Sequence, residues 1–199
     1  MVAQSLLRPV SVGLLVASLF VAGPAPAVAQ SLTLWGGVYS PLGSDVNLGA
    51  IGGSVQRNNS FAGGIRLTGW GSSILGLEAV GGYSPASVDV AGGTINGQRN
   101  LNVFAGALKL MVGVSPKLSP LGIFLGAGPA VIRRGEDVTT ESGSNTAFGG
   151  VVGAGLRIPF GSSLGLRIDA EDYIYKGDLG GDNATRNDLI LSTGLSLGL

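Results

Sequence analysis

The chain has 199 residues, of which 36 are Gly, 12% are charged and none is Cys or His, and its formal net charge is zero. Without Cys there is no disulfide scaffold, no thiol nucleophile and no thiolate-held zinc; without His the commonest general base and metal ligand are missing. A balanced charge gives no electrostatic footprint for nucleic acid, and a charge content about half that of an ordinary soluble domain leaves little to hydrate a surface.

Taken in chain order, the first element is a leader. Arg8 precedes an apolar run from Val10 to Ala22, Pro24 and Pro26 stop any helix, and Ala27-Val28-Ala29 has the small-x-small form of a cleavage site. The run is about 13 residues, short of the roughly 20 that a membrane helix needs. Residues 1–29 are therefore expected to be a secretory signal peptide and 30–199 the mature domain, with eleven cationic side chains against twelve anionic ones. The mature part has no apolar run long enough to cross a bilayer as a helix. It can enter one only as a closed barrel, the other way to satisfy every backbone N–H and C=O in lipid.

Eight segments with period-2 alternation follow, separated by Gly, Pro, Asn, Asp and Ser clusters: Ser31 to Ser40, Ser60 to Trp70, Ile74 to Tyr83, Arg99 to Val112, Leu121 to Ile132, Thr146 to Ile158, Ser163 to Tyr175 and Asn187 to Leu199. Each reaches about 10 residues, the span of a tilted transmembrane strand, where soluble strands run nearer 5 or 6. The connections alternate strictly. Pro41 to Asn59, Ser84 to Gln98, Arg133 to Asn145 and Lys176 to Arg186 are long; Gly71 to Ser73, Gly113 to Pro120 and Pro159 to Gly161 are short. Long loops at one rim, tight turns at the other and an even strand count predict an all-β, eight-stranded antiparallel up-and-down transmembrane barrel of the outer-membrane type.

The faces follow from the alternation. Leu191, Leu195 and Leu197 share one face of the last segment, and Ser192, Gly194 and Ser196 the other. Leu164, Leu166, Ile168 and Ala170 alternate with Gly165, Arg167, Asp169 and Glu171; Phe61, Ile65 and Leu67 alternate with Arg66 and Thr68; Leu75, Leu77 and Ala79 flank Glu78. In a membrane barrel the aliphatic set faces lipid and the polar set faces the lumen. The fourth segment is apolar on both faces, and placing Lys109 inward turns Phe104, Leu108 and Leu110 to lipid. Tyr39, Phe61, Tyr83, Phe104, Phe148, Tyr173 and Tyr175 are expected in the upper interface girdle and Trp70 and Phe160 at the opposite rim, with Trp35 and Phe124 in the lumen. Pro129, which cannot donate to a ladder, is expected near the outer rim or at a bulge.

Three stretches carry a family likeness: Gly153-Ala154-Gly155-Leu156-Arg157-Ile158-Pro159 before a tight turn, Leu166-Arg167-Ile168-Asp169-Ala170-Glu171-Asp172-Tyr173, and the alternating end from Asp188 to Leu199. Through them the mature chain resembles the small outer-membrane barrels of the OmpA and OmpX type. The resemblance implies an integral outer-membrane protein of a Gram-negative bacterium, exported through the periplasm and inserted by the outer-membrane assembly machinery. Such barrels usually end in an aromatic residue, and here Leu199 stands in that place. The lipid-modifying barrels of similar size use His with Ser and an acid, and His is absent.

The candidate site is the set of charges assigned to the lumen: Arg66, Glu78, Lys109, Arg157, Arg167, Asp169 and Glu171. Unpaired charges there would be very costly, so they are expected to pair across strands as a plug. Gly76, Gly82, Gly126, Gly128, Gly153 and Gly155 leave inner positions without side chains, which would make room for water. Asp169 and Glu171 share a face, but no nucleophile and base accompany them, so no catalytic residue is assigned. Gly177 to Asn183 has the oxygen-rich composition of a calcium loop in a single copy and reads as an ordinary connection. No cofactor, metal or nucleic-acid partner is expected. The sequence favours a non-enzymatic barrel with a plugged lumen and four surface loops open to an extracellular partner; a narrow porin-like channel and a secreted soluble barrel binding an apolar ligand are the alternatives.

Overall fold

The structure, a computed structural model, describes residues 30–42, 46–48, 53–72, 74–91, 97–114, 121–136, 145–179 and 182–199, with side chains for 31–42, 58–72, 74–86, 102–114, 121–135, 146–176 and 185–199. The expected leader and the side chains of the Gly177 to Asn183 connection lie outside these residues. Among the described residues ten strands form: β1 (Gln30–Leu42), β2 (Val46–Leu48), β3 (Gly53–Arg57), β4 (Ser60–Trp70), β5 (Leu75–Ala91), β6 (Gly97–Gly113), β7 (Gly122–Glu136), β8 (Asn145–Phe160), β9 (Leu164–Leu179) and β10 (Asp182–Gly198). Eight of them, β1 and β4 to β10, close a ring. Each is antiparallel to its neighbours in sequence, and β1 pairs with both β4 and β10, so the first and last strands seal the wall. The ring is the eight-stranded up-and-down barrel that the alternation predicts.

The strands run further than the alternation suggested. β5 and β6 continue to Ala91 and from Gly97, with Val88 facing Arg99 in register, and β9 and β10 pair as far as Leu179 and Asp182. The first long connection also contains a small hairpin, β2–β3, whose second strand extends the upper end of β5. Much of what reads as surface loop is thus strand-paired. Pro85, within the expected long connection from Ser84 to Gln98, lies inside β5. It falls between the ladder to β4, which ends at Tyr83, and the ladder to β3, which begins at Val88, so no rung on that side needs its missing N–H.

Pro129 corrects the expectation of a rim or bulge position. It sits in mid-strand on the outer face, opposite Gly150. The β6–β7 register is the same on both sides of it, at Ala107–Ala130 and Leu110–Ala127, so no residue is inserted; the two rungs between are simply unmade. Beside it, a Cβ on Gly128 would collide with the Leu108 carbonyl oxygen, so only Gly permits the two backbones to come this close. At the opposite end the β8–β9 turn uses Gly161 at φ 77°, a conformation that other L-residues rarely adopt.

The wall is inverted relative to a soluble barrel. Leu34, Leu77, Leu110, Leu125, Leu191 and Leu195 are each about half exposed on the outside, and Phe61 and Phe148 more so, at 67% and 79%. The ionic side chains are sealed inside. The lumen also holds an apolar core that includes Val80, Val103, Ile132, Val151, Tyr173 and Ile190. The Leu rows therefore do not converge on a dry centre, which removes the soluble-barrel alternative. The glycine positions do not leave open space either. The Trp35 ring fills the place of a side chain at Gly82, Met111 that at Gly126, Phe124 that at Gly155 and Trp70 that at Gly76. Large neighbours occupy the holes, as close packing requires.

Three of the aromatic assignments change. Phe61, Tyr83, Phe104, Phe148 and Phe160 face outward as an interface girdle should, but Tyr39, Tyr173 and Tyr175 are buried in the lumen. Tyr173 and Tyr175 keep step with the inward Arg167, Asp169 and Glu171 of β9, and Tyr39 with the inward Thr33 and Trp35 of β1. An apolar ring with one hydroxyl suits a narrow lumen, where that hydroxyl finds a partner. Trp35 and Phe124 are inside, as the sequence implied.

Candidate functional site: two polar layers across the lumen

The central layer is built by residues on the inward face of four strands: Arg66 on β4, Glu78 on β5, Lys109 on β6, and Arg167, Asp169 and Glu171 on β9. In the ring β9 lies directly opposite β5. Ion pairs between these strands therefore cross the barrel rather than follow its wall. None of the six residues is more than 4% exposed.

Arg167 is the hub. It donates to both oxygens of Asp169, at 2.9 Å through Nε and 2.8 Å through Nη2, and reaches across to Glu78 with Nη2 at 3.0 Å and with a further contact from Nη1. Thr68 completes the joint, donating to Glu78 Oε2 at 2.6 Å and accepting from Arg167 Nη1 at 3.1 Å. Arg66 Nη1 donates to Glu171 Oε1 at 2.6 Å and Nη2 to Ser192 Oγ at 2.7 Å. Lys109 bridges the two halves, 2.7 Å from Glu78 Oε1 and in contact with Glu171. Three cations thus meet three carboxylates, and the layer is neutral. Both guanidiniums also stack on rings, Arg66 over Trp35 at 4.9 Å and Arg167 over Phe124 at 4.4 Å. Charge-assisted, bidentate and stacked contacts are the kind that offset part of the desolvation cost of buried ions.

Six of the seven charges expected in the lumen are therefore brought together. Arg157 is not among them. It lies on the inward face of β8, half-buried, and makes no ion pair with any described residue.

A second layer lies toward the long-connection rim. The hydroxyls of Tyr39 and Tyr175 both donate to Asp188 Oδ2 at 2.6 Å, and Arg134 Nη2 donates to the same oxygen at 2.9 Å. Arg134 also stacks over the Tyr175 ring at 4.8 Å and contacts its hydroxyl. Its strand, β7, lies opposite β1, so this layer too braces the lumen across its width. Sequence reasoning missed these residues, although a signal was available. Arg134 keeps step with Phe124 along β7, and Asp188 with Ser192 along β10, and both of those were assigned inward.

The carboxylates are committed to ion pairs, and among the described residues no group of three or more Asp or Glu could hold a metal ion.

The barrel is close to several solved structures. The outer membrane protein OprG from Pseudomonas aeruginosa superposes with a TM-score of 0.64 at 17% identity, covering 86% of this chain and 97% of that one. Neisserial surface protein A gives 0.59 at 11% identity over 86% and 97% of the two chains. The outer membrane protein AlkL, solved in lipid bilayers, gives 0.56 at 19% identity over 89% and 95%. At these identities the likeness is one of fold. Comparison with curated protein sequences gives no match. The sequence itself matches the outer membrane protein beta-barrel domain over residues 13–196, nearly its whole length. An aliphatic wall turned outward, charges sealed within and this match together make the chain a member of the outer-membrane β-barrel protein family, seated in the lipid of the bacterial outer membrane.

Proposed function

We propose that the protein is a non-enzymatic outer-membrane barrel whose lumen is closed, and whose dealings with the outside run over the strand-paired hairpins at its upper rim. One observation carries this reading: Arg66, Lys109 and Arg167 meet Glu78, Asp169 and Glu171 in a single neutral layer spanning the lumen, with every member within 4% of full burial. An ion crossing that layer would have to displace paired charges in a low-dielectric setting, and the barrel is only wide enough for its own side chains. The upper layer of Tyr39, Arg134, Tyr175 and Asp188 supports closure a second time. The absence of His and Cys and the commitment of the carboxylates support a role without catalysis. In this reading residues 1–29 are removed at Ala29, the chain is inserted by the outer-membrane assembly machinery, and any extracellular partner meets the upper hairpins.

The test is electrical. The purified protein in planar lipid bilayers stays silent, while Arg167→Ala combined with Glu78→Ala, which removes a cross-lumen pair, gives measurable current. Steady single-channel steps from the unaltered protein would establish the narrow channel instead.

A further inference from the structure

The lumen changes character below its central layer. Arg157 and Arg167 stand opposite one another in register on β8 and β9, two like charges side by side. Arg167 is held by Glu78 and Asp169. Arg157 is held by neither, and its Nε is shut off from solvent without a hydrogen-bond partner.

Arg157 itself packs against glycines. The register partner of Arg157 on β7 is Gly122, where a Cβ would stand 3.4 Å from Arg157 Cβ; on the other side a Cβ at Gly165 would stand 3.6 Å from Arg157 Nε. On β7 the register partner therefore brings no side chain to Arg157, and on β9 it brings the like-charged Arg167. Among the described residues no carboxylate pairs with it. The three short connections contain no Asp or Glu. Glu78, Asp169 and Glu171 are all taken up in the neutral central layer.

We propose that Arg157 anchors a small oxyanion site open to the periplasm, taking a carboxylate or phosphate group on its guanidinium. A guanidinium offers a planar fork of N–H donors that matches two oxygens of such a group, and a bound negative charge relieves the repulsion between the paired arginines. The site lies on the periplasmic side of the central layer and is independent of whether that layer conducts.

The experiment is a titration of the folded full-length protein in neutral detergent micelles at fixed ionic strength, with chloride replaced by inorganic phosphate or by acetate. The arginine Nε–H resonances are followed by NMR, and the signal missing in Arg157→Gln identifies Arg157. A saturable shift of that signal with either anion, while the sealed Arg66 and Arg167 signals stay still, is the expected result. Gly165→Ala, which sets a methyl group against the Arg157 side chain but keeps the charge, should weaken the binding at least tenfold. Repeating the titration in micelles doped with an anionic phospholipid separates the sources: a shift already saturated by the lipid assigns the site to a headgroup, and one that still needs phosphate or acetate assigns it to a free anion. No saturable shift under any of these conditions, or an equal shift in every arginine, overturns the proposal.

Discussion

The two polar layers of the lumen solve the same problem with different chemistry. The central one uses six ionised groups in balance, with a bidentate arginine at its hub. The upper one gathers two tyrosine hydroxyls and a single arginine around one carboxylate oxygen. Removing one member of the first leaves a buried charge uncompensated. Removing a tyrosine hydroxyl from the second leaves Asp188 with other donors. The difference teaches that burial alone does not set the cost of losing a polar group; what remains behind does.

This contrast orders the expected effects. Arg167→Met strips Glu78 and Asp169 of their shared partner and should cost about 3–5 kcal/mol, read as lost resistance to urea unfolding in lipid vesicles. A loss under 1 kcal/mol would mean that the central layer is not held by ion pairing. Leu191→Arg, which puts a charge on the lipid side of the wall rather than in either layer, should cost roughly 2–4 kcal/mol if it lies near the bilayer midplane. Stability unchanged by that substitution would contradict the outward assignment of the Leu rows. Tyr39→Phe should cost about 0.5–1.5 kcal/mol, because Tyr175 and Arg134 still hold Asp188; a loss as large as that of Arg167→Met would erase the distinction between the layers. Lys176→Gln, exposed outside both layers, should fall within about 0.5 kcal/mol of the parent and sets the floor of the comparison.

The part of the site legible beforehand was its parity. Once Leu166 and Ile168 are turned to lipid, the two-residue period of a strand forces Arg167, Asp169 and Glu171 inward, and the same holds for Arg66 and Glu78. Lys109 needed more, because β6 is apolar on both faces, and only its charge marked the inward side. The tyrosines were misplaced because a girdle preference was applied without the parity of their own strands. Tyr173 and Tyr175 follow Glu171 at steps of two and had to point the same way. Arg157 had the right parity, yet parity does not say who stands across the lumen.

The sequence by itself determined that the chain alternates, how many crossings it makes and which side of each strand is greasy, because these follow from the local geometry of an extended backbone and from the exclusion of unpaired peptide groups from lipid. Only the tertiary structure decided which charges meet. Closure of the ring and the stagger between strands bring β9 opposite β5 and β7 opposite β1, so Glu78 finds Arg167 and Asp188 finds Arg134 across more than fifty positions of chain. The same stagger leaves Arg157 between Gly122 and Arg167 instead of beside an acid. No local pattern encodes those distances, since they arise from the shear of the whole barrel.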